Sequence, residues 1–494
     1  MKILLINPKI KLFYKPMTSP LGLMSIATYL NANGHQTIIS DRFFEKESIC
    51  GILNDFKPDI VGVSVITNRF IEDAIEVSRQ VKDKNIPVVW GGPMASEIPV
   101  DILKSGVVDY ICFSEGEETW LEMVDAMKKG KSFEEIKGIG YLKNDLFVKT
   151  SSRDFVDLKT LPPLDWSLID VEKYFQPYYQ SKRMLYMYSS KGCIGNCTFC
   201  YNAQFHKSKH RTRCYDHVYQ EIQFLVENYG LDGVNFSDDL MFCNRNQVVD
   251  FCEGLIENNI NIFWGGNLRV GIINNEEDFK LMHKAGCRWL LIGVETGSKR
   301  MQKNICKNIP YDKIVNTFNC ASKSGIISIA PFMIGLPGET AEDLIDTVEM
   351  AKKLNATVCI FNFFTPIPGT KIYDDLIEDD KYIPLKNIEE HSKLYFGEKL
   401  KYNLSDVDSK ELKAIWSYFQ LRSLFFKNEF KDAFDNNPLI IKIIKNAIKS
   451  ISGHGFFHFI QAGFIGVFDF LSSVYVLFSQ PKIRKKYKLY FKKV

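Results

Sequence analysis

Short apolar runs in two series constrain what this chain can fold into more than any other feature. The first series is ILLIN (3–7), TIIS (37–40), IVGVSV (60–65), VVWGG (88–92) and YICFS (110–114). Runs without polar alternation suit strands buried on both faces. Helix-length stretches separate them, which predicts an α/β fold whose first 135 residues form a doubly wound, Rossmann-like, five-stranded parallel sheet. The second series is MLYMYSS (184–190), GVNFSD (233–238), IFWGG (262–266), WLLIGVE (289–295), ISIAPFMIG (327–335) and TVCIFNF (357–363). Six βα units predict a partial (β/α)6 barrel over 183–385, with chemistry at the C-terminal ends of its strands. Between the two, residues 136–182 carry Leu161-Pro162-Pro163 and Gln176-Pro177 and read as a linker. Residues 386–494 read as a helical C-terminal region.

The composition supports a folded chain of several domains: 494 residues, 46% hydrophobic and 24% charged. A formal net charge of +3 gives no reason to expect nucleic acid. MKILLINPKI is too short an apolar run for a secretory signal, so a cytoplasmic location is expected. Twelve cysteines without export then favour thiols or metal over disulfides. Nine are scattered and read as small buried apolar groups.

The other three cluster in KGCIGNCTFCYN, as Cys193, Cys197 and Cys200, directly after the first strand of the second series. Thiolates are natural ligands for iron–sulfur clusters, and Gly192 and Gly195 let the loop wrap one. Three ligands leave one iron open to a small chelating molecule. The alternative is zinc, which favours four protein ligands in closed sites and could recruit His206 or His210.

The loop resembles that of radical S-adenosylmethionine enzymes, including Phe199 before the last cysteine. FSDDLMF, NLRVGI, GVETGS, GLPGET and PIPGT continue the resemblance, to the methyltransferase-like subgroup with an N-terminal cobalamin-binding domain. It implies a four-iron four-sulfur cluster on the three cysteines and a 5′-deoxyadenosyl radical made from S-adenosylmethionine. It also suggests roles at the strand ends. Asp238 or Asp239 would accept from the ammonium of the methionine moiety, Arg269 would pair a carboxylate, and Glu295 would accept from ribose hydroxyls. Gly335 and Leu336 would let backbone approach the adenine. Plainer readings stand beside these: a helix cap for the two aspartates and an Arg269–Glu295 ion pair. Glu339 and Thr340 read as the start and cap of the next helix, and Pro366, Pro368, Gly369 and Thr370 as a rigid turn.

In the first domain the resemblance points to the loops after the strands, at Pro8, Ser64, Thr67, Gly91, Gly92, Glu115 and Gly116, as the seat of cobalamin. Parallel sheets bind ligands at this end. No G-x-G-x-x-G follows the first strand, which argues against a dinucleotide. The Asp-x-His-x-x-Gly motif that brings a histidine to cobalt in many cobalamin proteins is also absent. His35 reads as a turn residue.

The function this implies is cobalamin-dependent radical methylation of an unactivated carbon or phosphorus centre in a small molecule or lipid. Cobalamin-assisted cyclisation, rearrangement or carbon–carbon coupling is one alternative, and a non-catalytic electron-transfer or sensing module is another. No second cysteine cluster is evident, so an external flavodoxin or ferredoxin is the expected reductant. Residues 455–479 are rich in Phe and precede a tail of seven Lys or Arg. They read either as a helical cap over the barrel or as a peripheral membrane contact at the cytoplasmic face.

Overall fold

The computed structural model describes residues 1–10, 18–45, 49–393, 400–425, 479 and 481–487. Two seven-stranded sheets organise it.

The first sheet contains β1 (Lys2–Asn7), β2 (Gln36–Asp41), β3 (Ile60–Ser64), β4 (Val88–Gly91), β5 (Tyr110–Cys112), β6 (Ile139–Lys143) and β7 (Leu146–Lys149). Their order is β2-β1-β3-β4-β5-β6-β7. The five expected strands are parallel, and the order reverses between β1 and β3. Crevices for ligands form at that switch point, outside the carboxyl ends. The antiparallel hairpin β6–β7 lies inside the segment read as linker. Asn144 and Asp145 turn it, both at positive φ (50° and 62°), as a two-residue hairpin loop of the right twist requires.

Residues 150–175 then run between the two sheets. Val156, Leu158 and Leu161 pack against Tyr29, whereas Trp166 and Tyr174 enter the larger core of the second sheet. Asp165 N–H donates to Thr28 Oγ1 (3.0 Å) and Leu164 N–H to the buried Glu221 (2.7 Å), so this strap is stitched to both halves.

The second sheet contains β8 (Gln176–Tyr178) and β9 (Ser181–Met187). A short ribbon follows, β10 (Ser190–Lys191) with β11 (Arg211–Thr212). The sheet continues with β12 (Gly233–Phe236), β13 (Phe263–Arg269), β14 (Cys287–Gly293), β15 (Ile327–Ile334) and β16 (Val358–Phe363). The order β16-β15-β14-β13-β12-β9-β8 is that of an open barrel: six parallel strands, as expected, closed at one edge by antiparallel β8. Outward side chains pack under helices, while the lumen side stays accessible at Leu291, 36% exposed in the middle of β14.

After the barrel, the helix Ile388–Ser392 returns to the first domain. Ile388 joins that domain's core, and the buried Asn68 donates to His391 O (3.2 Å). The helix Ser409–Phe425 covers the edge strand β16, where Phe419 stacks on Phe361 with centroids 4.0 Å apart. A helical C-terminal region is thus present at 409–425 and Pro481–Lys486. The Phe-rich segment lies outside the described residues except for Ser479. Among the described residues no helix is long and apolar enough to cross a membrane.

Candidate active site

The cysteine loop leaves the barrel at Ser189–Ser190, and a buried carboxylate fixes its root. Asp238, 2% exposed, accepts from Ser189 N–H (2.9 Å), Ser189 Oγ (2.9 Å) and Ser190 N–H (2.7 Å). Burial lifts its carboxyl to about 7 against those donors. Asp239, next along, accepts from Gly192 N–H (3.2 Å) and from the Tyr201 hydroxyl, and it faces His206 Nε2 at 3.6 Å. Both aspartates therefore brace the loop. Neither caps the following helix, whose N-cap is Asn244.

The loop itself is tied from several directions. Gly192 adopts φ +83°, and a Cβ there would stand 2.1 Å from Lys209 O. Thr198 N–H donates to Ile305 O (3.1 Å), and Thr198 O accepts from Ile372 N–H (3.0 Å). Donors converge on the sulfurs: Gly195 N–H on Cys193 Sγ (3.3 Å), Asn202 Nδ2 on Cys200 Sγ (3.8 Å) and Arg269 Nη1 on Cys197 Sγ (4.0 Å). Burial raises the Cys193 thiol and pushes Cys200 up to about 11.

Three thiols on one loop, met by N–H donors, fit a cluster that spreads its ligands over several irons. Among the described residues no three His, Cys, Asp or Glu converge on a single ion. His210 Nε2 lies 2.8 Å from Leu240 O and His206 faces Asp239, so neither completes a zinc site.

Around this loop stand the other barrel residues singled out in the sequence. Arg269 and Glu295 do not pair with each other. Arg269 Nη2 donates to Lys307 O (3.0 Å), and Lys307 Nζ meets Glu295 Oε1 at 2.7 Å. Glu295 sits at φ +71° after β14. Lys307 carried no sequence signal, because it lies in a loop without periodicity. Phe199 packs against an apolar cluster that includes Met301, Ile305, Leu336 and Phe364. Gly335 adopts φ +81° and its N–H donates to Glu339 Oε2 (2.7 Å). Glu339 is fully buried, and burial lifts its carboxyl to about 8. Thr340 caps the next helix in a capping box with Asp343. Gly369 packs onto Glu97 of the first domain, with φ +78°.

A cavity of about 740 Å³ opens at the carboxyl end of the first sheet. Ser64, Thr67, Gly91, Gly92, Glu115 and Gly116 line its mouth as expected; Asn7 rather than Pro8 lines it after β1. From there it descends beside Leu5, Gly62, Val89 and Trp120. Gly62 is required at that depth, because a Cβ would meet Trp120 at 2.6 Å. A glycine-lined mouth above an apolar shaft fits a broad flat ligand with a tail. His35 is remote from it and lies 3.5 Å from Asp125.

The far wall of the cavity belongs to the barrel domain: Lys191, Phe205, His206 and Ser237. Lys191 and Arg211 are cross-strand partners in the β10–β11 ribbon, two cations that would repel. Glutamates of the first domain neutralise both. Arg211 forks onto Glu115 (2.8 and 2.7 Å), and Lys191 Nζ lies 2.9 Å from Glu117 and 3.7 Å from Glu115. Burial would raise the Glu117 carboxyl, but the Lys191 ammonium and the Ser25 hydroxyl outweigh it and hold the group below its ordinary range. Glu115, expected to face the cofactor, is thus also the anchor of the domain seam. The basic run HKSKHRTR and the Lys before Cys193 were the available signals for this seam.

Residues 14–124 match the B12 binding domain family and residues 187–351 the Radical SAM superfamily. This chain is a cobalamin-dependent radical SAM enzyme. Its cofactors are a four-iron four-sulfur cluster, S-adenosylmethionine and cobalamin. Among its relatives, an uncharacterized methyltransferase of Pyrococcus horikoshii is 29% identical over 90% of this chain and 96% of its own. The anaerobic magnesium-protoporphyrin IX monomethyl ester cyclase of Rubrivivax gelatinosus is 27% identical over 72% of this chain and 66% of its own. The radical SAM methyltransferase TsrM of Kitasatospora setae, solved with cobalamin and its iron–sulfur cluster, shares the fold. Its TM-score is 0.65 at 18% identity, over 76% of this chain and 75% of that one. The two-sheet plan of this radical SAM enzyme therefore holds across widely diverged sequences.

Proposed function

We propose that this enzyme methylates an unactivated carbon or phosphorus centre of a small-molecule substrate. The observation that carries the reading is the shared cavity: its floor is the first sheet, and its far wall is the barrel segment that bears the cysteines. Transfer of a group between two cofactors needs this face-to-face placement. The names of the relatives agree, because the Pyrococcus horikoshii protein is called a methyltransferase. The Rubrivivax gelatinosus relative supports a second reading, cobalamin-assisted ring closure, in which no methyl group moves.

When bound, the cluster with S-adenosylmethionine supplies a hydrogen-abstracting radical, and the cobalamin supplies a transferable methyl group. In this reading residues 1–149 form the cobalamin domain, 150–175 the strap and 176–393 the catalytic barrel. Cys193, Cys197 and Cys200 hold the cluster. Arg269 and the Gly195 amide balance negative charge at the sulfurs. The Lys307–Glu295 pair and the Gly335–Leu336 backbone border the S-adenosylmethionine seat, and Phe199 with Leu336 excludes water beside it. Asp239 orders the loop through Gly192 and Tyr201, and Asp238 sets its root. The cluster would take its electron from a separate one-electron carrier.

The test uses anaerobically reconstituted full-length protein with cobalamin, a reductant and S-adenosylmethionine bearing a deuterated methyl group, added to a metabolite extract. The reading expects 5′-deoxyadenosine together with a product carrying the labelled methyl. Formation of 5′-deoxyadenosine with an unlabelled product would favour ring closure. Absence of 5′-deoxyadenosine would overturn both.

A further inference from the structure

The cysteine loop reaches the surface of the molecule. Ile194, beside Cys193, is 45% exposed, and Asn196 is exposed as well. Two segments border this tip. On one side Ser208 Oγ donates to Gly195 O (3.2 Å), and the backbone of Lys209 packs on Gly192. On the other, Ile305 O receives Thr198 N–H and Lys307 O receives Arg269. Neither segment, 203–213 or 299–308, contains an acidic residue.

Their cations divide into two groups. Arg211, Arg213, Arg300 and Lys307 are engaged by Glu115, Glu221, Asp343 and Glu295. Lys207, Lys209, Lys299 and Lys303 are exposed, and none forms an ion pair with another described residue. Lys207 leans over the Phe155 ring, beside which Asp154 is an exposed acid. The unneutralised charge therefore lies on the two segments that border the loop tip, one residue of which, Ile194, is exposed beside Cys193.

We propose that this lysine-flanked tip is the docking surface for an acidic one-electron carrier of flavodoxin type. The proposal rests on the cysteine loop holding the cluster, as argued above. Charge complementarity selects the partner: an acid-bearing carrier is steered to an acid-free rim, and the exposed Ile194 gives the contact a dry centre. One electron leaves the carrier, which is oxidised by one unit, and one electron reduces the cluster. No proton or group is transferred.

The experiment compares two reductants on the reconstituted holoenzyme. Reduced flavodoxin probes docking, and dithionite, a small molecule, bypasses it. Cluster reduction is followed by the loss of its visible absorbance. In the double variant Lys209→Glu with Lys303→Glu, flavodoxin should reduce the cluster about 10-fold more slowly at low salt. Added salt should slow the wild type and leave the variant nearly unaffected. The dithionite rate should stay the same. Equal flavodoxin rates in variant and wild type would overturn the proposal. So would equal slowing with both reductants, or a wild type that flavodoxin cannot reduce. Iron content confirms that the variant holds its cluster; if it does not, Lys209→Gln with Lys303→Gln repeats the comparison without charge reversal. Dithionite-reduced enzyme that forms no 5′-deoxyadenosine would sink the catalytic reading, while the rate comparison would still decide the docking site.

Discussion

Cys193, Cys197 and Cys200 lie within one turn-rich loop, yet the hydrogen bonds that shape the loop run through Ser189, Gly192, Thr198 and Asp238. Shape and metal binding are therefore separable by mutation. Cys197→Ala should leave the circular dichroism spectrum unchanged while iron and sulfide fall to background after anaerobic reconstitution. S-adenosylmethionine cleavage should fall with them. Retained iron with normal cleavage would contradict the ligand assignment. A similar separation applies at the cavity mouth. Gly92 is a poor probe, because its φ of +98° and a Cβ contact of 2.9 Å with Val65 O would strain any side chain. Gly91 lacks both problems; its nearest Cβ neighbour is Cys112 at 3.7 Å. Gly91→Trp should fill the mouth, abolish retention of corrin absorbance and leave the cluster content unchanged.

Between elements, a pH-sensitive contact joins the helix Pro93–Glu97, which begins at the cavity mouth, to the turn before the helix Lys371–Glu378, where Glu97 meets Gly369. Burial lifts the Glu97 carboxyl from its ordinary 4.5 to about 7, and nearby Asp374 adds to the rise. Protonated Glu97 suits this contact better than the anion. Its contribution to stability is present below about 4.5 and is lost as pH rises through about 7. The melting temperature should therefore drop between pH 5 and pH 8, and Glu97→Gln should flatten part of that drop. An identical pH profile in the variant would show that Glu97 is not the group responsible. Elements were also where the sequence was most readable. Every strand of both parallel series carries an apolar run, because helices cover the strands and leave little of each one to alternate with polar residues. The hairpin β6–β7 is less legible: Asn144-Asp145 is a turn signal, but IGYLK and LFVK mix apolar and charged residues at the sheet edge. Within the site, the cysteines and strand-end acids were visible as motifs. Lys307 leaves no such trace, and the basic residues Arg211 and Lys191 show as charge without naming their glutamate partners, since an ion pair formed across the fold has no periodicity along the chain.

On the scale of the whole molecule, ion pairs join the two domains across the cavity wall. Lys191 and Arg211 face Glu117 and Glu115 across the cavity wall, and Glu117 is buried. Removing one member strands its partner, which typically costs about 3–5 kcal/mol for a buried pair. Lys191→Met should thus lower the melting temperature by several degrees and loosen cobalamin retention. Adding Glu117→Gln should restore much of the stability, as calorimetry can check; a double variant no better than the single one would place the loss elsewhere.

The bonds that hold the cysteine loop in shape have one more consequence. None of the backbone ties at Gly192 and Thr198, nor the carboxylate clasp at the loop root, uses a sulfur atom. Exposure to air that strips the iron therefore leaves a standing mould. With the thiols kept reduced, iron and sulfide should rebuild the cluster without synthesis of a new polypeptide.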